Sequence, residues 1–188
     1  MDENIAVNKA DEAANGDLLI LVDEQDNEVG VENKFDAHYN GDLHRAFSVN
    51  LYWGNKLLLQ QRARNKYHSG GLWTNACCSH PRAGETLEEA VHLRLMNELG
   101  MDCDVEELFS FHYKSQYGEH LFEHEYDHVF LGLYKDTEPI HLNPDEAMDC
   151  KWVDIDWLEA DLAEHPENYT TWFVISAPEI IKAVRKRR

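Results

Sequence analysis

The chain has 188 residues, 43% of them hydrophobic and 28% charged, a composition that reads as one soluble globular domain. Its 17 Lys and Arg stand against 36 Asp and Glu, and the resulting net charge of −19 disfavours nucleic acid and anionic membranes as partners. An anionic ligand would have to be held by a small local cluster of cations or through a metal.

Residues 1–16 are polar and acidic and read as a flexible N-terminal tail without the basic-then-apolar order of a signal peptide; the domain is placed at 17–188. No apolar run approaches the roughly 20 residues that cross a bilayer. Leu18–Asp23 is a short apolar run ending in a turn sequence, so strand, turn, strand is expected. His44–Trp53 and Lys56–Arg62 flank Gly54-Asn55, a hairpin signal. Between them and the first strands, the segment from His38 to Asp42 is taken as a loop. A Gly70-Gly71 loop leads into "WTNACCSHP", Trp73–Pro81. Thr86–Gly100 is the clearest helix: Thr86 caps it with Glu89 three residues on, Ala90, Val91, Leu95 and Leu99 keep helical spacing, and Gly100 closes it. Val105–Tyr117 and Phe122–Tyr134 read as long strands around a turn at Gly118, "CKWVD" as one more. "IDWLEADLAEHP" and "TTWFVISAPEIIKAVRKRR" read as helices, the second broken near Pro178. The class is α/β, with mixed sheets and flanking helices.

The four cysteines, 77, 78, 103 and 150, show neither a C-x-x-C nor a disulfide framework, which suits a reducing cytoplasm. Cys77, Cys103 and Cys150 read as small buried hydrophobes. Cys78 differs because His80 lies two residues on, and an extended segment turns both to one face. Glu123 and Glu125 repeat that spacing with His124 facing away. Two carboxylates this close need a cation between them or a shared proton; otherwise they mark an acidic edge strand. With His38 and His44 the chain offers three imidazoles and two carboxylates, a donor set for a borderline divalent ion. The remaining histidines, His68 among them, read as solvated or structural. Glu98 is a carboxylate of the kind that holds Mg²⁺ jointly with a diphosphate, and Lys34, Arg62, Lys66 and Arg94 are candidate phosphate cations.

In that order, "NKFDAH", "LHRAFSV", "LLLQQRARNK", "GLWTNACCSHP", "GETLEEA", "RLMNELG", "FHYKSQYG", "FEHEYDHVF", "DEAMDCKWV" and "TTWFVISA" resemble the type I isopentenyl-diphosphate delta-isomerases, which use the Nudix fold. The resemblance spans about residues 17–180 and implies a Nudix-like fold and a role in isoprenoid biosynthesis. It implies that His38, His44, His80, Glu123 and Glu125 bind one divalent metal (Mn²⁺, Zn²⁺ or Mg²⁺). It makes Cys78, Glu125 and Tyr113 catalytic. Lys34, Arg62, Lys66 and Arg94 become diphosphate contacts, and Trp172 the aromatic facing the reacting carbons. Glu98, with the Cys78 carbonyl, would hold Mg²⁺ on the substrate diphosphate. A monomer acting on a small allylic or homoallylic diphosphate is expected.

The alternative is a Nudix-type pyrophosphohydrolase. The hydrolase signature, aligned on Glu85 and Gly100, meets Ser79 at its first glycine, Leu93-Arg94 in place of Arg-Glu, and Asn97 in place of one paired glutamate. Two carboxylates that gather metal around an attacking water are therefore missing.

Overall fold

The computed structural model describes residues 17–135 and 139–187. The expected tail at 1–16 lies outside the described residues. Nine strands are described: β1 (Leu18–Val22), β2 (Glu28–Asn33), β3 (His44–Trp53), β4 (Lys56–Arg62), β5 (Trp73–Thr74), β6 (Cys77–Ser79), β7 (Val105–Gln116), β8 (Phe122–Leu133) and β9 (Ala147–Asp154). Four α-helices accompany them: α1 (Lys34–Asn40), α2 (Leu87–Leu99), α3 (Ile155–Glu164) and α4 (Thr171–Arg185). None of these is long and apolar enough to cross a membrane.

The strands form one curled mixed sheet. β3 is its spine, parallel to β8 from His44↔Glu125 to Tyr52↔Leu133. Along its other edge β3 meets β1 at His44, β6 at Phe47–Val49 and β4 at Tyr52–Trp53, all antiparallel. β4 then diverges to pair with β9 and β5, and β7 closes the far side against β8. β8 is thus an inner strand, and the acidic-edge reading of Glu123 and Glu125 does not apply.

Apolar side chains alternate between two cores. Leu57, Leu59, Val129 and Leu131 pack under α3 and α4, whereas Leu58, Val49 and Phe130 pack under α2. β4 is buried on both faces, which is why "LLL" reads as a continuous apolar run instead of an alternation. The capping box of α2 is present as expected, with Thr86 accepting from Glu89 N–H and Glu89 reaching back to Thr86 N–H. Such a cap contributes about 1 kcal/mol.

Three expectations are corrected. His38–Asn40 belong to a helix: Asn33 caps α1 by accepting from Phe35 N–H at 2.9 Å, and Gly41 ends it at φ 73°. Pro178 sits inside an unbroken α4. Its ring leaves the Val174 carbonyl without a helical donor, but the buried face of Trp172, Phe173, Ala177, Ile180, Ile181 and Val184 outweighs that loss. Cys77 is fully buried, but Cys103 and Cys150 are only half-buried at the margin of the α2 core.

Candidate active site

Strand register brings the site together. His44 on β3 and Tyr113 on β7 are both direct partners of Glu125 on β8, so three side chains from strands far apart in sequence meet by pairing alone. Ser48 pairs with Cys78, which hangs β6 on the other edge of β3 and sets His80 next to the same cluster. His38 arrives on α1. That helix is clipped to β8 because the Gly41 carbonyl accepts from His124 Nδ1 at 2.8 Å. A Cβ at Gly41 would lie 3.1 Å from the Phe122 side chain, which would have to give way, and the φ of 73° itself favours glycine.

One ligand atom from each of His38, His44, His80, Glu123 and Glu125 lies within 4.8 Å of every other, so this group could hold a metal ion. Its hydrogen bonds agree with that chemistry. His38 Nδ1 donates to the Lys34 carbonyl at 2.6 Å and His44 Nδ1 to the Asp42 carbonyl at 2.9 Å. A carbonyl only accepts, so a ring with its one proton on Nδ1 presents an Nε2 lone pair to the site; the Tyr67 hydroxyl lies 3.3 Å from that of His38. Those lone pairs face carboxylates, at 3.4 Å for His38 and Glu123 and 3.9 Å for His44 and Glu125. His44 Nε2 and Glu123 Oε2 are buried without any hydrogen-bond partner. Buried acceptors facing acceptors are costly unless a cation lies between them. The donor set, three imidazoles and two carboxylates, suits a divalent ion.

Electrostatics point the same way. Burial, reinforced by His38, pushes the His44 imidazole down to about 3, so it stays neutral. Burial and the neighbouring Glu123 push the Glu125 carboxyl well above the usual carboxylate range. Burial pushes Glu123 up too, but His38 and His68 outweigh it and hold that carboxyl well below its ordinary value. Burial, with Glu125 next, drives the Tyr113 phenol up. Burial also raises the Cys78 thiol, against the pull of Arg62.

Tyr113 donates to Glu125 Oε2 at 2.7 Å, while His80 Nε2 lies 2.7 Å from the other oxygen. A cavity opens beside this pair, lined by Cys78, Tyr113, Glu125 and Trp172 and by the cations Lys34, Arg62, Lys66 and Arg94. Trp172 is held by its Nε1–H on Asn75 Oδ1 at 3.1 Å, and the Arg62 guanidinium lies 5.3 Å from its ring centre. Glu98 does not line the cavity. It is buried behind Arg94, with Arg94 Nη2 at 3.1 Å and Gln60 Nε2 on its other oxygen at 3.1 Å, and its Oε1 has no hydrogen bond. Cys77 points into the α2 core, away from the cavity.

Six cavity residues were not anticipated as site residues: Phe47, Ser48, Tyr67, His68, Ser79 and Glu146. Glu146 Oε2 pairs with Lys66 at 2.5 Å, and its Oε1 lies 3.8 Å from Arg94. Tyr67 and His68 follow Lys66 in a loop whose inward turn depends on left-handed backbone at Ser69 (φ 52°) and Gly71 (φ 82°). The adjacent glycines were the available signal, but they mark a turn without giving its direction.

The NUDIX domain profile matches residues 42–173. Among solved structures, DR0079 from Deinococcus radiodurans has a TM-score of 0.67 at 21% identity, covering 90% of this chain and 98% of that one. A MutT NUDIX hydrolase from Burkholderia pseudomallei has a TM-score of 0.59 at 17% identity, covering 72% and 96%. Similarity at that identity shows the fold. Isopentenyl-diphosphate Delta-isomerase 2 of Aromatoleum aromaticum is 49% identical over 166 residues, 88% of this chain and 87% of that one. Isopentenyl-diphosphate Delta-isomerase 2 of Photorhabdus laumondii is 51% identical over 159 residues, 84% and 88% of the two chains. A NUDIX domain carrying a His/Glu donor group, at this identity over most of its length, means that the chain belongs to the isopentenyl-diphosphate Delta-isomerase family.

Proposed function

We propose that this chain interconverts isopentenyl and dimethylallyl diphosphate by adding a proton to one carbon of the alkene and removing one from another. The observation that carries the reading is a single cavity holding two proton-transferring groups, Cys78 and the Tyr113–Glu125 pair, together with four cations. An unactivated alkene is a weak base, so its protonation needs a strong acid kept from water. Burial raises both the thiol and the carboxyl, so either one, once deprotonated, is a strong base.

In the forward direction the Tyr113–Glu125 side delivers a proton to the terminal methylene, leaving a tertiary cation. Cys78, entering this direction as thiolate, takes a proton from C2 and becomes the thiol, and the double bond forms between C2 and C3. The Trp172 ring offers its π face to the cation, worth about 2 kcal/mol or more when desolvated. Lys34, Arg62, Lys66 and Arg94 hold the diphosphate and fix the carbons against the two acid/base groups. His38, His44, His80, Glu123 and Glu125 would hold one divalent ion, Mn²⁺, Zn²⁺ or Mg²⁺, which when bound draws charge from Glu125 and keeps the neighbouring acid protic. Glu98, whose Oε1 is ion-paired with Arg94 at 3.1 Å, would have to exchange that partner to hold, with the Cys78 carbonyl, Mg²⁺ that arrives with the diphosphate. Four unpaired cysteines support a reducing, cytoplasmic setting.

A pyrophosphohydrolase would need carboxylates on α2 where Arg94 turns into the cavity and Asn97 faces solvent. The deciding experiment supplies purified protein with Mg²⁺ and isopentenyl diphosphate in D₂O. Appearance of deuterated dimethylallyl diphosphate is expected. No exchange, with phosphate released from nucleoside diphosphates, would establish the hydrolase instead.

A further inference from the structure

One more imidazole is buried against the five-donor group. His68 is 7% exposed, and its Nε2 is within hydrogen-bonding reach of Glu123 Oε1. It is not one of the five mutually close donors. Its other nitrogen, Nδ1, lies 3.1 Å from Ser69 Oγ. One direction of donation satisfies both contacts: Ser69 O–H to His68 Nδ1, and His68 Nε2–H to Glu123 Oε1. His38 Nε2 faces the same carboxylate oxygen but cannot donate to it in the neutral ring, because its proton is on Nδ1 and bound to the Lys34 carbonyl. The arrangement leaves Glu123 Oε2 buried and unpartnered.

The surrounding loop holds His68 in that position. Gly70 approaches the Arg64 carbonyl so closely that a Cβ would lie 2.6 Å from it, and Ser69 takes the left-handed φ of 52°. The His68 carbonyl accepts from Arg62 Nη2 at 3.3 Å. Its ring stacks on Tyr117 at 4.8 Å and meets Trp172 edge-on at 6.0 Å. Backbone strain, a cation and two aromatic rings thus fix one imidazole against one carboxylate oxygen.

We infer that His68 is a positioning residue: it donates the hydrogen bond that holds Glu123 Oε1 and so presents Oε2 to the divalent ion of the His/Glu group. The inference rests on the metal reading above. Partners of this kind typically change metal affinity on the order of 10–100-fold when removed.

The test titrates Mn²⁺ alone into metal-free protein, with free Mn²⁺ followed by electron paramagnetic resonance. His68→Phe keeps a ring between Tyr117 and Trp172 but has no N–H, and about 10–100-fold weaker binding is expected. His68→Gln restores a donor and should recover most of that loss. Binding by His68→Phe within about twofold of the unmutated protein overturns the inference, as does His68→Gln no tighter than His68→Phe. A Co²⁺-loaded His68→Phe whose visible spectrum shows one ligand fewer also overturns it, because His68 would then be a ligand itself. In the unmutated protein, ¹⁵N imidazole spectra should show His68 as the Nε2–H tautomer; the Nδ1–H tautomer refutes the proposed direction without any mutation. Unmutated protein that binds no Mn²⁺ sinks the metal reading and this inference together, whereas normal binding by both proteins sinks only this inference.

Discussion

Removing one hydroxyl, by Tyr113→Phe, should slow turnover without weakening substrate binding. The phenol donates to Glu125 Oε2 at 2.7 Å, and the two residues are 6% and 8% exposed, so water cannot replace the lost donor. The other oxygen, Oε1, faces His80 at 2.7 Å and His44 at 3.9 Å, so neither ring is aimed to take over at Oε2. Deleting one partner of a buried hydrogen bond costs about 1–3 kcal/mol. At about 1.4 kcal/mol per factor of ten, kcat should fall roughly 5- to 150-fold. KM should change less than about threefold, because the hydroxyl is engaged by Glu125 and not by the cavity's cations; uniform binding and transition-state effects separate in this way. The phenylalanine ring still stacks on Phe111, now 5.7 Å from the Tyr113 ring, so the fold is retained. Deuterium incorporation followed by NMR over a range of isopentenyl diphosphate concentrations yields both constants, with thermal melting as the control on folding. An unchanged kcat, or a loss confined to KM, would refute the argument that this hydroxyl acts through Glu125 at the reacting carbon.

Cys78→Ser and Glu125→Gln should each lose more than about 100-fold in turnover while keeping the native circular dichroism, since neither replacement carries a proton of suitable acidity. Near-full activity in either removes that residue from the proton-transfer role. Burial pushes the Glu146 carboxyl up, but Lys66 at 2.5 Å and Arg94 outweigh it and hold it below its ordinary 4.5. With the folded value depressed, the unfolded chain binds more protons, so this contribution is complete above 4.5 and is lost as pH falls through the folded value. The melting-temperature gap between the unmutated protein and Glu146→Gln should therefore narrow as pH is lowered from about 6 to about 3.5; a constant gap would show that the pair is not coupled to folding. Gly70→Ala would put a Cβ 2.6 Å from the Arg64 carbonyl, a backbone atom that cannot swing aside. A loss of about 1–3 kcal/mol in thermal stability is expected, together with a raised KM because the loop carries Lys66. Unchanged melting would mean that the loop is freer than its geometry implies.

Much of the fold was legible because local rules agreed with the final packing. Thr86, Glu89 and Gly100 bound α2 as capping chemistry requires, and Gly54-Asn55 turns β3 into β4. Where local and tertiary terms opposed each other, local reading failed. Pro178 argues for a break, yet α4 continues because its apolar face is buried along the whole length. The segment at His38 has no apolar period long enough to announce a helix. α1 is only seven residues, held by Asn33 at one end and by Gly41 clipped to β8 at the other.

The site divides in the same way. Two-residue spacing alone put Cys78 with His80, and Glu123 with Glu125, on common faces, because side chains on extended backbone alternate. The donor types alone named a divalent ion, and the motif order alone named the family. Which histidines belong to the group could not be read from any spacing among eleven of them. The resemblance implied which three, and the pairing of β3 with β8, which sets His44 beside Glu125, and the Gly41 clip, which sets His38 beside Glu123, are what bring them together. His68 was read as solvated or structural, and the structure buries it against Glu123. Only the left-handed turn at Ser69 and the tight approach at Gly70 send it inward. Residue types carry chemistry locally, whereas proximity between distant residues comes from strand register and loop direction, which the whole packed chain determines.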